Sequence, residues 1–219
     1  MMKLFNTLTK KKEPLKPIKQ GEIGMYSCGP TVYDTAHIGN LRAFVAADIL
    51  VRALRFLKFK VKWVMNITDI DDKTIAGAAK ARKSLKDFTS QYEEKFYQDL
   101  KKLNIKKADI YPRATEHFKE MRELVEQLIK KGIAYETDDG VYFSIKKFPR
   151  YGLLSGLDKR ELKPGARVDV DSYDKKSPGD FALWKKVGDR PGWHLECSAM
   201  SRKYLGQPFD IHTGGVDLI

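Results

Sequence analysis

The chain has 219 residues, enough for one large domain or a domain with an insertion, and its 42% hydrophobic and 32% charged residues are typical of a globular protein. The net charge of +12 favours a polyanionic partner such as RNA, although a lysine-rich surface without a specific partner would give the same charge. Asp48 interrupts the apolar run FVAADIL far short of the roughly 18 residues that span a bilayer. The N-terminus lacks the apolar core of a signal peptide, so we expect a cytoplasmic protein without a membrane segment.

The first elements predicted along the chain form a βαβ crossover. Residues 22–28 (EIGMYSC) are typical of a short buried strand, and residues 60–67 (KVKWVMNI) are rich in β-branched and aromatic residues. Between them a helix is predicted to begin near Asn40. Its buried face is predicted to contain Phe44, Ala47, Leu50, Leu54 and Leu57. Strands joined in this way are expected to be parallel neighbours in an α/β sheet.

Helical patterns dominate the next part of the chain. Residues 71–104 read as helical, and residues 114–131 as an amphipathic helix that Gly132 can cap. The first of these segments is predicted to expose a basic surface. It consists of Lys73, Lys80, Arg82, Lys83, Lys86, Lys101 and Lys102.

Beyond Gly132 the pattern becomes strand-like. IAYE and VYFSI, joined by DDG, predict a hairpin, and residues 151–180 are loop-rich. A helix over 197–205 and a return to the first sheet at PFDIHTGG complete the prediction.

The segment HIGN, from His37 to Asn40, lies between a strand end and a helix start. Ligands of open α/β sheets bind at this edge, and the N–H groups of a helix N-terminus attract phosphate. Gly39 would allow close backbone approach to a nucleotide, and His37 could stabilise charge that develops on a phosphate. Taken alone, a His-x-Gly at a helix start is common, and the segment favours simple helix capping over catalysis.

Cys28 and Cys197 are the only cysteines, and the predicted return to the sheet would bring them to one site. A zinc ion could bind both thiolates, with His194 or His212 as a further ligand, but the spacing does not choose between the two histidines. Two buried cysteines that act as small hydrophobic residues are the alternative. A disulfide is not expected in a reducing compartment.

The segment NITDIDDK (66–73) follows the second predicted strand. Its three carboxylates suggest either magnesium binding or capping of the next helix, and we favour capping because acidic groups stabilise the first turn. Asn66 and Thr68, nearest the strand end, are the better candidates for pocket residues.

Together these segments resemble the cysteinyl-tRNA synthetases. The resemblance is carried, in that family's order, by MYSCGPTVYDTAHIGNLRAFVAADIL, KWVMNITDIDDKTI, GARVDV, DFALWK, PGWHLECSAM and FDIHTGGVDLI. It implies an α/β fold, namely a Rossmann-type class I synthetase catalytic domain with a connective insertion. The implied boundaries are 1–112 for the first half of the catalytic domain, 113–190 for the insertion and 191–219 for the incomplete second half.

The resemblance also implies a reaction and its residues. A cysteine-tRNA ligase activates cysteine with ATP and magnesium to cysteinyl-adenylate and pyrophosphate, and then transfers the cysteinyl group to the cysteine tRNA. His37 and Asn40 would be catalytic, and Asn40 replaces a histidine of many relatives while still donating a hydrogen bond. The implied nucleotide site comprises His37, Gly39, Asn40, His212, Gly214 and Gly215. The implied amino-acid pocket comprises Gly29, Thr68, Trp193 and Asp217, with Asp217 facing the substrate ammonium.

Zinc is the cofactor implied by the resemblance, with Cys28 and Cys197 as two of its ligands and an open position for the substrate thiol. The family continues beyond the equivalent of Ile219 with Phe-Pro-His-His-Glu-Asn-Glu, which supplies two more ligands, and later with Lys-Met-Ser-Lys-Ser. We therefore expect the chain as given to be truncated, to hold zinc weakly and not to aminoacylate. We expect the complete protein to be a monomer.

Two other functions are compatible with the sequence. One is the related cysteine ligase of mycothiol synthesis, which transfers the same adenylate to an amino sugar, although the net charge of +12 favours tRNA. The other is a non-catalytic tRNA-binding fragment.

Overall fold

The computed structural model describes residues 2–156 and 179–215, which form two compact units. Pro17–Glu120 and the described residues of Glu196–Leu218 form the parallel-sheet unit. The described residues of Met1–Lys16 and Met121–Leu195 form the antiparallel-sheet unit. Within the described ranges, no helix is both long enough and apolar enough to cross a membrane.

The elements follow one another in a mixed α/β order. The strands of the described residues are β1 (Lys3–Asn6), β2 (Lys11–Pro14), β3 (Glu22–Ser27), β4 (Lys60–Met65), β5 (Ala134–Glu136), β6 (Gly140–Phe143), β7 (Phe181–Lys185), β8 (Arg190–Pro191) and β9 (Ile211–Thr213). The α-helices are α1 (Ile38–Phe56), α2 (Asp72–Lys80), α3 (Leu85–Lys102), α4 (Phe118–Lys130) and α5 (Glu196–Leu205). Short 3-10 helices cover Ala114–Glu116 and Ile145–Lys147.

The parallel-sheet unit is built on three parallel strands in the order β4-β3-β9. The predicted βαβ crossover is therefore confirmed, and so is the return of PFDIHTGG to the sheet, because β9 pairs with β3. Helix α1 buries Phe44, Ala47, Val51 and Leu54. Including Leu57 in that face was wrong, because this residue follows the last helical turn and is 48% exposed.

The helical segment predicted for 71–104 is a pair of helices, α2 and α3. The chain turns between them at Arg82, whose φ of 52° does not fit a continuous right-handed helix. Glu93 on α3 is buried and accepts two hydrogen bonds from the guanidinium of Arg113, at 2.9 and 2.7 Å. This bidentate pair ties α3 to the chain that runs beside β4.

The antiparallel-sheet unit contains the predicted hairpin, as β5 and β6, within a sheet of order β5-β6-β7-β8. Strands β7 and β8 and the separate hairpin β1-β2 were not predicted. The predicted amphipathic helix corresponds to α4, and Gly132 follows it with a φ of 67°, as a C-terminal cap requires. Most of the predicted loop-rich stretch, 157–178, lies outside the described residues. The boundaries proposed for the insertion stay predictions.

Candidate functional site

Two cysteines meet at the carboxyl edge of the parallel sheet. Cys28 directly follows β3, and its backbone N–H donates to the carbonyl oxygen of Thr213 in β9 at 2.9 Å. Cys197 lies in the first turn of α5. The two Sγ atoms are 3.5 Å apart, and neither cysteine is in a disulfide. The predicted juxtaposition is therefore present, and it arises because β9 returns next to β3.

His212 completes the group around the thiols. Its Nε2 atom lies 3.3 Å from the Sγ atom of Cys28, because the register of the sheet pairs Tyr26 with His212. The structure thus places one of the two candidate histidines at the thiol pair. His194 belongs to the antiparallel-sheet unit, where its ring lies 4.2 Å from that of Phe181.

Asn66 organises the residues beside the thiols. It is buried at the end of β4, and its Oδ1 accepts from the backbone N–H of Gly29 at 2.9 Å, with the Sγ atom of Cys197 at 3.6 Å. Its Nδ2 donates to the hydroxyl of Thr68 at 3.1 Å. A Cβ atom at Gly29 would lie 1.7 Å from the Asn66 carbonyl oxygen, so only glycine fits there. Gly29 and Thr68, both predicted as pocket residues, therefore share one amide.

Two buried polar atoms lack a hydrogen-bond partner among the described residues. They are the hydroxyl of Tyr26 and Oε1 of Glu196. Burial is the main cause that raises the pKa of both side chains, and Cys197 adds to each shift. The hydrogen bond with Cys28, followed by burial, raises the pKa of the Cys197 thiol. Burial and the neighbouring thiols therefore disfavour the charged forms of the Glu196 carboxyl and the Cys197 thiol.

The donor set fits zinc in part. Two sulfurs bound tetrahedrally to zinc at about 2.3 Å would lie roughly 3.8 Å apart. The observed separation of 3.5 Å is close to that value. Thiolate and imidazole are the donors that zinc prefers. Among the described residues, no group of three or more histidine, cysteine, aspartate or glutamate side chains has the geometry to hold a metal ion.

The predicted phosphate segment caps α1. The Nδ1 atom of His37 accepts from the backbone N–H of Gly39 at 3.0 Å, and Oδ1 of Asn40 accepts from the backbone N–H of His37 at 3.2 Å. The capping interpretation is thus confirmed. The cap uses only the Nδ1 atom of the His37 ring, and the Nε2 atom takes no part in it. Because Nδ1 accepts a hydrogen bond, the neutral imidazole carries its proton on Nε2. The exposed His37 therefore presents a donor at the start of the helix.

The acidic segment after β4 is likewise a cap. Asp71 accepts from the backbone N–H of Thr74 at 2.7 Å, which starts α2. Asp69 accepts from the backbone N–H of Thr115 at 3.0 Å. The capping prediction is confirmed for Asp71.

For the remaining predicted site residues, the structure shows a position in the fold or a single contact, and for Asp217 neither. Gly214 and Gly215 directly follow β9. Trp193 is exposed in the antiparallel-sheet unit, and its ring lies 5.4 Å from that of His194. Asp217 lies outside the described residues. The sequence patterns gave no reason to select Tyr26 or Glu196.

Comparison with known proteins identifies the family. The family model described as "tRNA synthetases class I (C) catalytic domain" matches residues 14–219. The chain belongs to this family of class I tRNA synthetases. The class I synthetase fold expected from the sequence is confirmed, together with the family resemblance that implied it.

Curated relatives of this synthetase family extend the match over the whole chain. The cysteine-tRNA ligase of Brachyspira hyodysenteriae is 54% identical over 97% of this chain and 48% of its own length. That of Methanosarcina mazei is 52% identical over 100% of this chain and 50% of its own. That of Pyrococcus furiosus is 49% identical, with 100% and 48% covered. The chain spans about half the length of the curated relatives it matches.

Proposed function

We propose that the complete protein is a cysteine-tRNA ligase, which forms cysteinyl-adenylate from cysteine and magnesium ATP and then charges the cysteine tRNA. The observation that carries the proposal is the thiol pair, with its sulfurs 3.5 Å apart at the carboxyl edge of the sheet. This edge is where open α/β folds bind their ligands. The names of the relatives and the family model support the same activity.

In this proposal Cys28 and Cys197 hold zinc, and His212 lies beside them. Bound there, zinc supplies an open coordination position that prefers the thiol of cysteine to the hydroxyl of serine. The chain's own residues fix the donors, because β9 anchors the backbone of Cys28 and the amide of Asn66 lies against Cys197. The contact of His212 with Cys28 supports a role at the thiol pair. Its predicted nucleotide role stays a prediction.

The start of α1 would orient the ATP phosphates. The helix N-terminus carries the positive end of the helix dipole, and the Nε2 proton of His37 adds a hydrogen-bond donor beside it. A Cβ atom at Gly39 would lie 2.9 Å from Cε1 of His37, so glycine at this position lets the ring keep its place. Positioning and charge stabilisation of this kind are the main contributions of a protein to reactions at phosphorus. Asn40 contributes by holding the backbone of His37.

The amino acid would lie beside Gly29 and Thr68, which share the amide of Asn66. Trp193 and Asp217 stay predicted members of this pocket. From the family resemblance we also propose a cytoplasmic location and a monomeric state.

Cysteine-dependent exchange of pyrophosphate into ATP by the full-length protein tests this function. We expect exchange with cysteine and none above background with serine. A protein that binds the tRNA but shows no exchange would be a non-catalytic binder. Transfer assays then separate the acceptors, and transfer to a glucosaminyl inositol in preference to the cysteine tRNA would contradict the proposal.

A further inference from the structure

A hollow beside the loop that precedes α1 contains aromatic and basic side chains that the proposed reaction does not use. It has a volume of about 440 Å³ and lies between α2, α3 and the loop that precedes α1. Its lining includes Tyr33, Asp34, Lys80, Phe88 and Tyr92. All of these residues belong to the parallel-sheet unit.

The aromatic side of the hollow is held in place by close packing. The rings of Phe88 and Tyr92 meet edge to face with centroids 5.1 Å apart. A Cβ atom at Gly77 would lie 2.4 Å from the ring of Phe88, so this ring packs directly on the backbone of α2. Tyr33 is 38% exposed on the opposite loop. The hollow therefore combines a fixed aromatic floor with an accessible ring.

Lysines surround these rings. The Nζ atom of Lys73 lies 5.0 Å from the centroid of the Tyr33 ring, and that of Lys95 lies 5.1 Å from the centroid of the Tyr92 ring. Lys80 lines the hollow itself and is exposed. Asp34 is the one acidic residue in the described lining, and its carboxylate accepts from the backbone N–H of Thr35 at 2.7 Å.

An accessible aromatic ring beside lysines is the chemistry that binds unpaired nucleotides. Bases stack on the rings, and the ammonium groups neutralise the neighbouring phosphates. Tyr33 is only four residues before His37, so a nucleotide here would lie on the loop that leads into the proposed ATP site. RNA is a better fit than an apolar peptide because the rim is cationic.

We propose that this hollow binds an unpaired nucleotide near the 3′ end of the tRNA, with its base on Tyr33 and its phosphate at Lys80. The proposal rests on the proposed function, since that function supplies the tRNA. It assigns a role to part of the basic surface of α2 and α3.

Equilibrium binding of the full-length protein to the cysteine tRNA, with and without its last four nucleotides, tests the proposal. We expect Tyr33→Leu to weaken binding of the intact tRNA about 5- to 160-fold, the range for loss of one base stack of about 1–3 kcal/mol. Tyr33→Phe should bind normally, because it keeps the ring. Neither substitution should alter binding of the shortened tRNA.

A matched pair of charge variants tests the phosphate contact. Lys80→Ala should lower the slope of log affinity against log salt concentration by about 1. Lys101→Ala removes the same charge from the far end of α3 and should leave the slope unchanged. Equal effects of the two variants would overturn the proposal, and so would unchanged binding by Tyr33→Leu or equal losses for the intact and shortened tRNAs.

Pyrophosphate exchange separates this proposal from the proposed function. All four variants should exchange at the rate of the unmodified protein, because none of the altered residues is assigned to the adenylate site. Absence of exchange in the unmodified protein would refute the proposed function. Normal exchange, together with unchanged tRNA binding by Tyr33→Leu and Lys80→Ala, would refute only the nucleotide site.

Discussion

The two edges of the parallel sheet differ in how their polar groups are paired. At the amino edge the carboxylate of Asp210 accepts from the backbone N–H groups of Ile18 and Gly24, both at 2.7 Å. At the carboxyl edge Tyr26 and Glu196 bury polar atoms that have no partner within the described residues. Since buried polar groups in folded proteins are nearly always paired, the carboxyl edge has hydrogen-bonding capacity that the described residues do not fill.

Because of this difference, we expect the amino edge to contribute mainly to the stability of the fold and the carboxyl edge mainly to ligand binding and catalysis. Pairing at the amino edge joins the chain before β3 to the chain before β9 and closes the fold. The carboxyl edge instead brings together the thiol pair and the start of α1, at the edge where open α/β folds bind their ligands. Substitutions at the first edge should therefore change the free energy of unfolding, and substitutions at the second should change binding and catalysis.

The largest effect is expected at the thiol pair. Cys28→Ser should remove bound zinc from the full-length protein and, with it, the discrimination of cysteine from serine, because a serine hydroxyl is a poor zinc ligand. Metal analysis and exchange assays measure the two effects. Ser27→Ala alters the preceding residue, which accepts from the indole of Trp63 at 2.9 Å, and should lower stability but keep the zinc. Full zinc content in Cys28→Ser would refute the ligand assignment.

Two glycines, Gly24 within β3 and Gly29 just beyond it, provide the second comparison. Gly29→Ala should destabilise the protein by about 3 kcal/mol or more, because the new Cβ would lie 1.7 Å from a backbone oxygen. At Gly24 the nearest atom to a new Cβ is at 3.5 Å, an ordinary contact, so Gly24→Ala should cost less than about 1 kcal/mol. Urea unfolding measures both changes. Similar costs at the two positions would show that the close approach at Gly29 is not present.

His37 and Asp71 cap α1 and α2 in the same manner, which allows capping to be separated from catalysis. Replacing either residue with alanine should cost about 1 kcal/mol of stability. His37→Ala should in addition slow pyrophosphate exchange about 100-fold with little change in cysteine affinity, as expected for loss of a donor to the reacting phosphate. Asp71→Ala should not slow it. Equal exchange rates in the two variants would show that His37 only caps the helix and has no role in catalysis.

At the amino edge we expect an effect on stability alone. Asp210→Ala should lower stability by about 2 kcal/mol, because two backbone N–H groups lose a charged acceptor. Zinc content should not change. The control is Asp99→Ala, which removes a partly exposed carboxylate paired with Lys102 and should change stability by less than about 0.5 kcal/mol. Loss of zinc in Asp210→Ala would mean that the two edges are not independent.

Local sequence patterns predicted the βαβ crossover of the parallel sheet. Strands β3 and β4 and helix α1 follow from hydrophobic periodicity, and the position of Cys28 follows from the end of β3. Strand β7 was missed because FALWK is a short run whose strand character depends on pairing with β6, about 40 residues earlier. Strands β1 and β2 have four residues each and no clear alternation of apolar and polar side chains.

The candidate site was likewise predictable only where it depends on local patterns. The meeting of the two cysteines required only that β9 return to the sheet. The choice of His212 over His194 depended on the register of β9 against β3, which sequence spacing does not encode. Tyr26 reads as one more apolar residue of a buried strand, so its unpaired hydroxyl becomes visible only when the neighbouring side chains are placed.

The absorption spectrum of the cobalt-substituted full-length protein tests the central claim most directly. We expect a thiolate-to-cobalt charge-transfer band that weakens in Cys28→Ser and strengthens when cysteine is added, because the substrate contributes a further thiolate. Serine should leave the band unchanged. A spectrum without this band, or one that responds equally to cysteine and serine, would contradict the assignment of the carboxyl edge as a cysteine-selective metal site.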